Sequence, residues 1–299
     1  MKLTVVVSAY NEEKKIEECL TSASKVADEI IVIDNSSDDD TAKIAKKFTK
    51  IVSTRPNNKM LNINKNYGAS LATGDWILHL DADERIESDL AAEIKNVMAS
   101  RVPNNAFKIP RKNIIFGKWI EHTGWYPDFQ TRLFRRKKGK FEEKHNHEQL
   151  SVEGETGSLQ SPLLHEHYAT VDEFLKKTFF SYTDNEADAM LKKGYKFKTQ
   201  DLLKIPFNEF LSRYFARYGY KDGRHGLALS LLMAFYHFVV VLKIWEKEKF
   251  ETKEDDTLNI LNSNANDIKK ELKFWNSEIN LKKMSPIRQT IERAKRKFA

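Results

Sequence analysis

Trp76-Ile77-Leu78-His79-Leu80 is apolar apart from one histidine and ends in Asp81-Ala82-Asp83-Glu84. Three acids within four residues repel one another, and a nearby cation relieves that repulsion. An Asp-x-Asp at the end of an apolar strand can hold a hard divalent cation through oxygen, with water and phosphate oxygens completing the shell. Such a cation neutralises a departing diphosphate. The plainer alternative makes Asp81 and Asp83 solvated turn residues. Two other apolar runs end in polar segments, Ser8-Ala9-Tyr10-Asn11-Glu12 and Asp34-Asn35-Ser36-Ser37. Asp38–Asp40 read as caps of the helix they precede, complementing its dipole.

These segments need elements to hold them. Leu3–Ala9, Glu29–Asp34, Lys50–Ser53 and Trp76–Leu80 read as strands, and Glu12–Lys25, Asp38–Phe48 and Asn62–Leu71 as the helices between them. Alternation of this kind predicts an α/β fold with a mostly parallel sheet, whose ligands gather at the carboxyl ends of the strands. The three polar segments then share one rim. Beyond Ala99, turn signals and short runs at Ala106–Pro110 and Gln130–Arg135 predict antiparallel strands that make the sheet mixed. From Val171 the period becomes helical, continuing through Phe210–Tyr218 and Leu227–Trp245, whereas Glu251–Asn266 reads as a linker or frayed helix before a basic amphipathic tail. The expected organisation is a domain over 1–170, a helical region over 171–250 and a charged linker and tail over 251–299.

With 299 residues, 40% of them apolar and 31% charged, the chain can fill a sizeable core and is not a polytopic membrane protein. Net charge is +7, and Leu281–Ala299 alone carries seven basic residues against one acid. That segment is drawn to anionic lipid or nucleic acid. The single cysteine, Cys19, excludes an internal disulfide and any cysteine-based zinc motif, which suits a reducing cytoplasm. No secretory signal is visible at the start. Leu227–Leu242 is apolar for sixteen residues, short of the roughly 20 that cross a bilayer, and is expected to be a buried or membrane-surface helix.

Ser8-Ala9-Tyr10-Asn11-Glu12-Glu13, Ile33-Asp34-Asn35-Ser36-Ser37-Asp38-Asp39-Asp40-Thr41 and Gly74-Asp75-Trp76-Ile77-Leu78-His79-Leu80-Asp81-Ala82-Asp83-Glu84 together resemble the donor-site signatures of family 2 glycosyltransferases with a GT-A fold. Their order and spacing match as well. His122–Asp128, Arg132–Arg136, His147-Glu148, His165–Tyr168 and Tyr218–Gly226 are similar to the lipopolysaccharide-core β-1,4-glucosyltransferase-like branch, so the likeness reaches about residue 250. The resemblance implies a nucleotide pocket lined by Ala9, Tyr10, Asn11 and Glu12, with Asp34 on the base or ribose. It further implies Asp81 on the ribose or the metal and Asp83 as the firmer ligand of Mg²⁺ or Mn²⁺. The implied donor is a UDP-hexose and the implied acceptor a glycan or lipid-linked glycan.

Inverting transfer needs one carboxylate to take the acceptor's proton. The resemblance points to Glu148, and Asp128, beside the sugar-stacking Trp125-Tyr126-Pro127, is the rival. Two His-x-His pairs, at 145 and 147 and at 165 and 167, could lie on strand faces as a zinc site, but the acid-rich loop elsewhere disfavours it. His165 is expected to touch the diphosphate or its cation and His167 to satisfy local hydrogen bonds. Aromatic and basic residues after 205 read either as a helical core with snorkelling cations or as a surface for an anionic membrane at the cytoplasmic face. Two other readings compete. A nucleotidyltransferase lacks its expected glycine-rich loop in Ser8–Glu13, and a non-catalytic binder of anionic surfaces leaves Asp81, Asp83 and Glu148 unexplained.

Overall fold

The protein is described by a computed structural model covering residues 1–57, 61–143, 150–251, 255–282, 284, 285 and 288. Glu148, His145 and His147, and most of the basic tail, lie outside the described residues. The chain divides into two compact units, Met1–Ala169 and Thr170–Ala299.

In the first unit the order is β1 (Leu3–Ala9), α1 (Ile16–Ala23), β2 (Glu29–Asp34), α2 (Thr41–Ala45), β3 (Val52–Thr54), α3 (Leu61–Leu71), β4 (Trp76–Asp81), β5 (Glu84–Arg85), α4 (Ser88–Ala99), β6 (Ala106–Ile115), β7 (Lys118–Trp119), β8 (Asp128–Arg135), β9 (Gly139–Phe141), β10 (Leu150–Val152), β11 (Thr156–Ser158) and β12 (Leu163–Tyr168). The main sheet runs β3-β2-β1-β4-β8-β6-β12-β5. Its β3, β2, β1 and β4 are mutually parallel, β8 is antiparallel to both β4 and β6, β12 is parallel to β6, and β5 is antiparallel to β12. The expected mixed sheet with flanking helices is thus what forms.

Every residue of β1 is buried, as expected of a central parallel strand covered on both faces. Leu3, Val5 and Val7 join Trp76, Leu78 and Leu80 under α1 and α4, whereas Val6, Ile31, Ile33 and Ile77 face α3. Gly68 lets α3 come close, because a Cβ there would sit 2.6 Å from Val6 Cγ1. Register puts Ala9 opposite Asp34 and Ser8 opposite Asp81, so the three polar segments do share one rim.

Two expectations in this unit are corrected. The first helix begins at Ile16 rather than at Glu12: the chain first makes a turn in which the N–H groups of Lys15 and Ile16 both close on the Glu12 carbonyl. The Asp81–Glu84 segment is not a simple loop end: it folds back as β5 onto β12, a pairing invisible in local periodicity.

The second unit holds α5 (Val171–Lys177), α6 (Thr183–Lys192), α7 (Asp201–Leu211), α8 (Arg224–Lys247) and α9 (Thr257–Lys282). Thr170 caps α5 by accepting from the Glu173 N–H at 3.1 Å. The apolar run Leu227–Leu242 lies inside the 24-residue α8, which by length and composition could cross a membrane. Of the linker or frayed helix expected over 251–266, the helix is what forms from Thr257 onward, where α9 starts. Asp256 accepts from the Asn259 N–H at 3.0 Å there, and Trp275 farther along stacks on Phe215 at 5.8 Å.

Candidate active site

The rim is tied together by backbone and small polar side chains. The Asn35 N–H and Nδ2 both donate to the Ala9 carbonyl, at 2.8 and 2.9 Å, clamping the end of β1 to that of β2. Asn64 on α3 donates in turn to the Asn35 side-chain oxygen. Asn11 donates its N–H to Ser37 Oγ and accepts from the Asp38 N–H, each at 2.9 Å, and the Glu12 N–H donates to Thr41 Oγ1 at 2.7 Å. These bonds hold Ala9, Tyr10, Asn11 and Glu12 as one loop beside Asp34, with Tyr10 exposed. Asp34 is buried, and its carboxylate accepts from the Ser37 N–H at 3.3 Å. Of the expected caps, Asp39 rather than Asp40 bonds to the helix start, accepting from the Thr41 N–H at 3.0 Å.

The repulsion among Asp81, Asp83 and Glu84 is relieved by cations of the chain itself. Asp81 receives Lys65 Nζ at 2.9 Å and Arg132 Nη2 at 2.5 Å, and the same Arg132 nitrogen bonds to the fully buried Glu84 at 2.7 Å. Burial pushes the Asp81 carboxyl up, but Arg132 and then Lys65 outweigh it and leave Asp81 well below the ordinary carboxylate range. Burial would lower the Arg132 guanidinium, but Asp81 and Glu84 raise it further, so it stays charged. Removing one member of such a buried network leaves charges without partners, which costs about 3–5 kcal/mol. Arg132→Met is therefore expected to lose about that much stability in urea unfolding, with part recovered in R132M/E84Q. A loss below about 1 kcal/mol, the scale of an exposed pair, would show that the network is no more than a surface contact.

Asp83 is held differently. Among the described residues its carboxylate has one partner, His165, with Nε2 and Oδ2 3.5 Å apart. Burial raises the Asp83 carboxyl, but His165 brings it down to about 2. The imidazole is oriented from behind. Asn113 donates Nδ2 to the Trp125 carbonyl at 2.7 Å, which turns its oxygen toward His165 Nδ1, also at 2.7 Å. Nδ1 must then carry a proton, and Nε2 faces Asp83 either as the N–H of an imidazolium or as a bare lone pair. The second form is that of a metal-binding histidine whose other nitrogen is hydrogen-bonded to an acceptor. Among the described residues no group of three or more His, Cys, Asp or Glu converges on one point. Asp83 and His165 could offer two donors to a cation that takes its remaining ligands from water and phosphate oxygens.

His165 and His167 share a face of β12, their ring centroids 4.6 Å apart, and His167 stacks on Tyr168 at 3.9 Å. Asp128 is tightly engaged: Arg111 Nε donates to it at 2.8 Å, Arg111 Nη2 also donates, and Gln130 donates at 2.9 Å. Burial raises its carboxyl but the Arg111 charge prevails, so Asp128 lies below its ordinary range and is a weak base. His79, fully buried two residues before Asp81, has no hydrogen-bond partner at either nitrogen among the described residues. Burial and then Lys65 keep it neutral.

Lys65, Asn113 and Arg111 do not stand out in the sequence: none belongs to a short motif, and only the packing of α3, β6, β8 and β12 brings them to the rim, where Arg132 and Arg111 meet the Glu84 of the acidic cluster. Cys19, beneath the rim, is fully buried and donates to the Asp81 carbonyl at 3.6 Å, and burial pushes its thiol far up.

Residues 4–151 match the family model for glycosyl transferase family 2. The chain is 26% identical over 256 residues to an uncharacterized glycosyltransferase of Rickettsia typhi, covering 82% of this chain and 87% of that one. It is 24% identical over 269 residues to the lipopolysaccharide core biosynthesis glycosyltransferase LpsC of Rhizobium meliloti, covering 87% of this chain and 98% of that protein. Glucosyl-3-phosphoglycerate synthase from Mycobacterium tuberculosis, solved with Mn²⁺ and UDP-glucose, aligns at 24% identity and a TM-score of 0.31, over 36% of this chain and 42% of that one.

Proposed function

Residues 4–151 are a glycosyl transferase family 2 domain, and from that premise we propose that the protein is an inverting, metal-assisted hexosyltransferase using a UDP-sugar donor. The acceptor in this reading is a glycan or lipid-linked glycan of lipopolysaccharide-core type, a choice supported by the similarity to LpsC along most of both chains. The observation that carries the metal-assisted part is the pairing of Asp83 with a His165 whose Nδ1 is anchored on Asn113, because that leaves Nε2 and a carboxylate oxygen facing one space.

In this reading the loop from Ala9 to Glu12 and Asp34 bind the nucleoside. Asp81, already neutralised by Lys65 and Arg132, presents its outer edge to the ribose and shapes the metal site from behind. Asp83 and His165 hold Mg²⁺ or Mn²⁺, which when bound would neutralise charge on the departing diphosphate. Glu148 takes the proton of the acceptor hydroxyl whose oxygen attacks the anomeric carbon, on the side opposite the departing nucleoside diphosphate. The ion pair that weakens Asp128 as a base favours Glu148 for this role. No covalent bond to the enzyme forms. The protein works at the cytoplasmic face of a membrane in this proposal, with the basic segment Leu281–Ala299 drawn to anionic headgroups.

Thermal unfolding with UDP, GDP, ADP or CDP, each with and without Mg²⁺ or Mn²⁺, tests the reading. A ligand at 100 times its Kd stabilises by about 2.7 kcal/mol, enough to read as several degrees. UDP is expected to raise Tm only with the cation present. A shift of equal size without metal would remove the metal from the proposal, and no shift with any nucleotide would overturn it.

A further inference from the structure

The outward face of α8 is apolar along its middle. Leu227, Leu231 and Phe235, one helical turn apart, are 40%, 53% and 51% exposed, with Leu232, Phe238, Val239 and Leu242 half-buried beside them. No Asp, Glu, Lys or Arg occurs between Arg224 and Lys243. At about 1.5 Å per residue the stripe is roughly 24 Å long. Phe179, in the π-helical segment Thr178–Tyr182 that continues α5 into α6, meets Phe235 at 5.3 Å, and the neighbouring Phe180 is 77% exposed. A continuous exposed apolar face of this kind marks an interaction surface rather than scattered surface residues.

The inward face of α8 buries Leu229, Met233, Val240, Val241 and Ile244 in the second unit, and the polar groups beside them are tied to acids. Tyr236 Oη donates to Glu186 at 2.6 Å, and His237 lies between Glu186 and Glu209 at 3.6 and 3.8 Å. Lys243 pairs with Asp184 at 2.7 Å and Lys247 with Asp188 at 3.0 Å. Asp184 and Asp188 are themselves open to water. If α8 crossed a bilayer, α6 and its carboxylates would have to enter hydrocarbon alongside it, at a cost of several kcal/mol for each charge. A helix packed into its own domain along one face, with an apolar stripe left open along the other, can dip that stripe into an interface without leaving the domain.

The end of the stripe indicates what kind of surface covers it. Arg217, Lys221 and Arg224 are exposed where the chain enters α8, and the one acid among them, Asp222, is buried. Lys221 and Lys282 both place their ammonium groups over the Tyr218 ring, 4.9 and 4.6 Å from its centroid. Tyrosines interleaved with lysine and arginine beside an apolar face match the headgroup layer of an anionic membrane.

We propose that α8 is an in-plane membrane helix, dipping Leu227, Leu231 and Phe235 into one leaflet of an anionic bilayer while Arg217, Lys221, Arg224 and Lys282 engage its headgroups. This deepens the reading of a lipid-linked acceptor and rests on it for its purpose, since a glycosyltransferase docked in this way meets its acceptor at the surface. The surface itself is defined without reference to catalysis.

Co-sedimentation of the full chain with phosphatidylglycerol-containing and with pure phosphatidylcholine vesicles, at low and high salt, tests it. L231E/F235E changes two exposed side chains and is expected to weaken binding to anionic vesicles about 100-fold. K221E/R224E should abolish the preference for anionic over neutral vesicles. Both variants should keep the metal-dependent Tm shift with UDP, so loss of membrane binding and loss of the glycosyltransferase reading are separate outcomes. The proposal is overturned if the wild type stays in solution with anionic vesicles at low salt, or if L231E/F235E binds as well as wild type. A concentration-dependent dimer that L231E/F235E dissociates, without vesicle binding, would make a second copy the occupant instead. Retention in the membrane pellet through alkaline carbonate extraction would make α8 a spanning helix and equally overturn it.

Discussion

Asp83→Asn is expected to lower metal-supported sugar transfer by about 10²-fold or more while leaving the fold intact. The amide keeps the shape of the side chain and removes the charge that, with His165 Nε2, would hold the cation. Asp83 does not share the Arg132 network, and among the described residues its partner is His165 alone, so the substitution strands no buried guanidinium. Binding and catalysis should fall together: the Tm shift produced by UDP with Mn²⁺ should disappear in the variant. Asp81→Asn is a contrasting case, because it takes a partner from Lys65 and Arg132 and should lower stability as well as activity. Near-normal turnover of the Asp83 variant with added Mg²⁺ or Mn²⁺ would show that the metal site is assigned wrongly.

Glu148→Gln is expected to reduce kcat by about 10²-fold or more, the scale of a lost general base, with the UDP-dependent Tm shift unchanged. Asp128→Asn is expected to reduce kcat far less. A carboxylate gripped by Arg111 and Gln130 and held below its ordinary pKa range has little affinity for the acceptor's proton, and losing it disturbs a salt bridge rather than a proton transfer. The pH profile separates the two. If Glu148 is the base, the acidic limb of kcat/KM should vanish in Glu148→Gln and persist in Asp128→Asn. The opposite pattern, collapse in Asp128→Asn and a mild effect in Glu148→Gln, exchanges the two roles.

Much of the rim was legible because its determinants are local. Apolar runs of six or seven residues ending in polar clusters, separated by segments of helical period, imply parallel strands whose carboxyl ends align, and β1, β2 and β4 do place Ala9, Asp34 and Asp81 side by side. The reading was weaker where local signals mislead. A turn closing on the Glu12 carbonyl delays to Ile16 the helix that periodicity begins at Glu12. Glu84 and Arg85 are too few to register as a strand, and the charged residues around Asp256 leave linker and frayed helix both open where α9 starts.

From sequence alone came the type of sheet, the shared rim, the Asp-x-Asp at its centre and the apolar run of α8, since each depends on residues within one turn or one strand of each other. Tertiary structure alone decided which partner each acid takes. Arg132 reaches Asp81 across 51 positions and Lys65 across 16, while β12 returns beside β5 to bring His165, oriented by Asn113, onto Asp83. Electrostatic energy falls with distance in space and takes no account of separation along the chain, so equivalent carboxylates in one short motif acquire different partners only when the sheet closes. The same holds for α8. Its sequence is apolar enough to cross a membrane, and only the fold shows that one face is buried in the second unit, with Lys243 and Lys247 paired to Asp184 and Asp188 beside it.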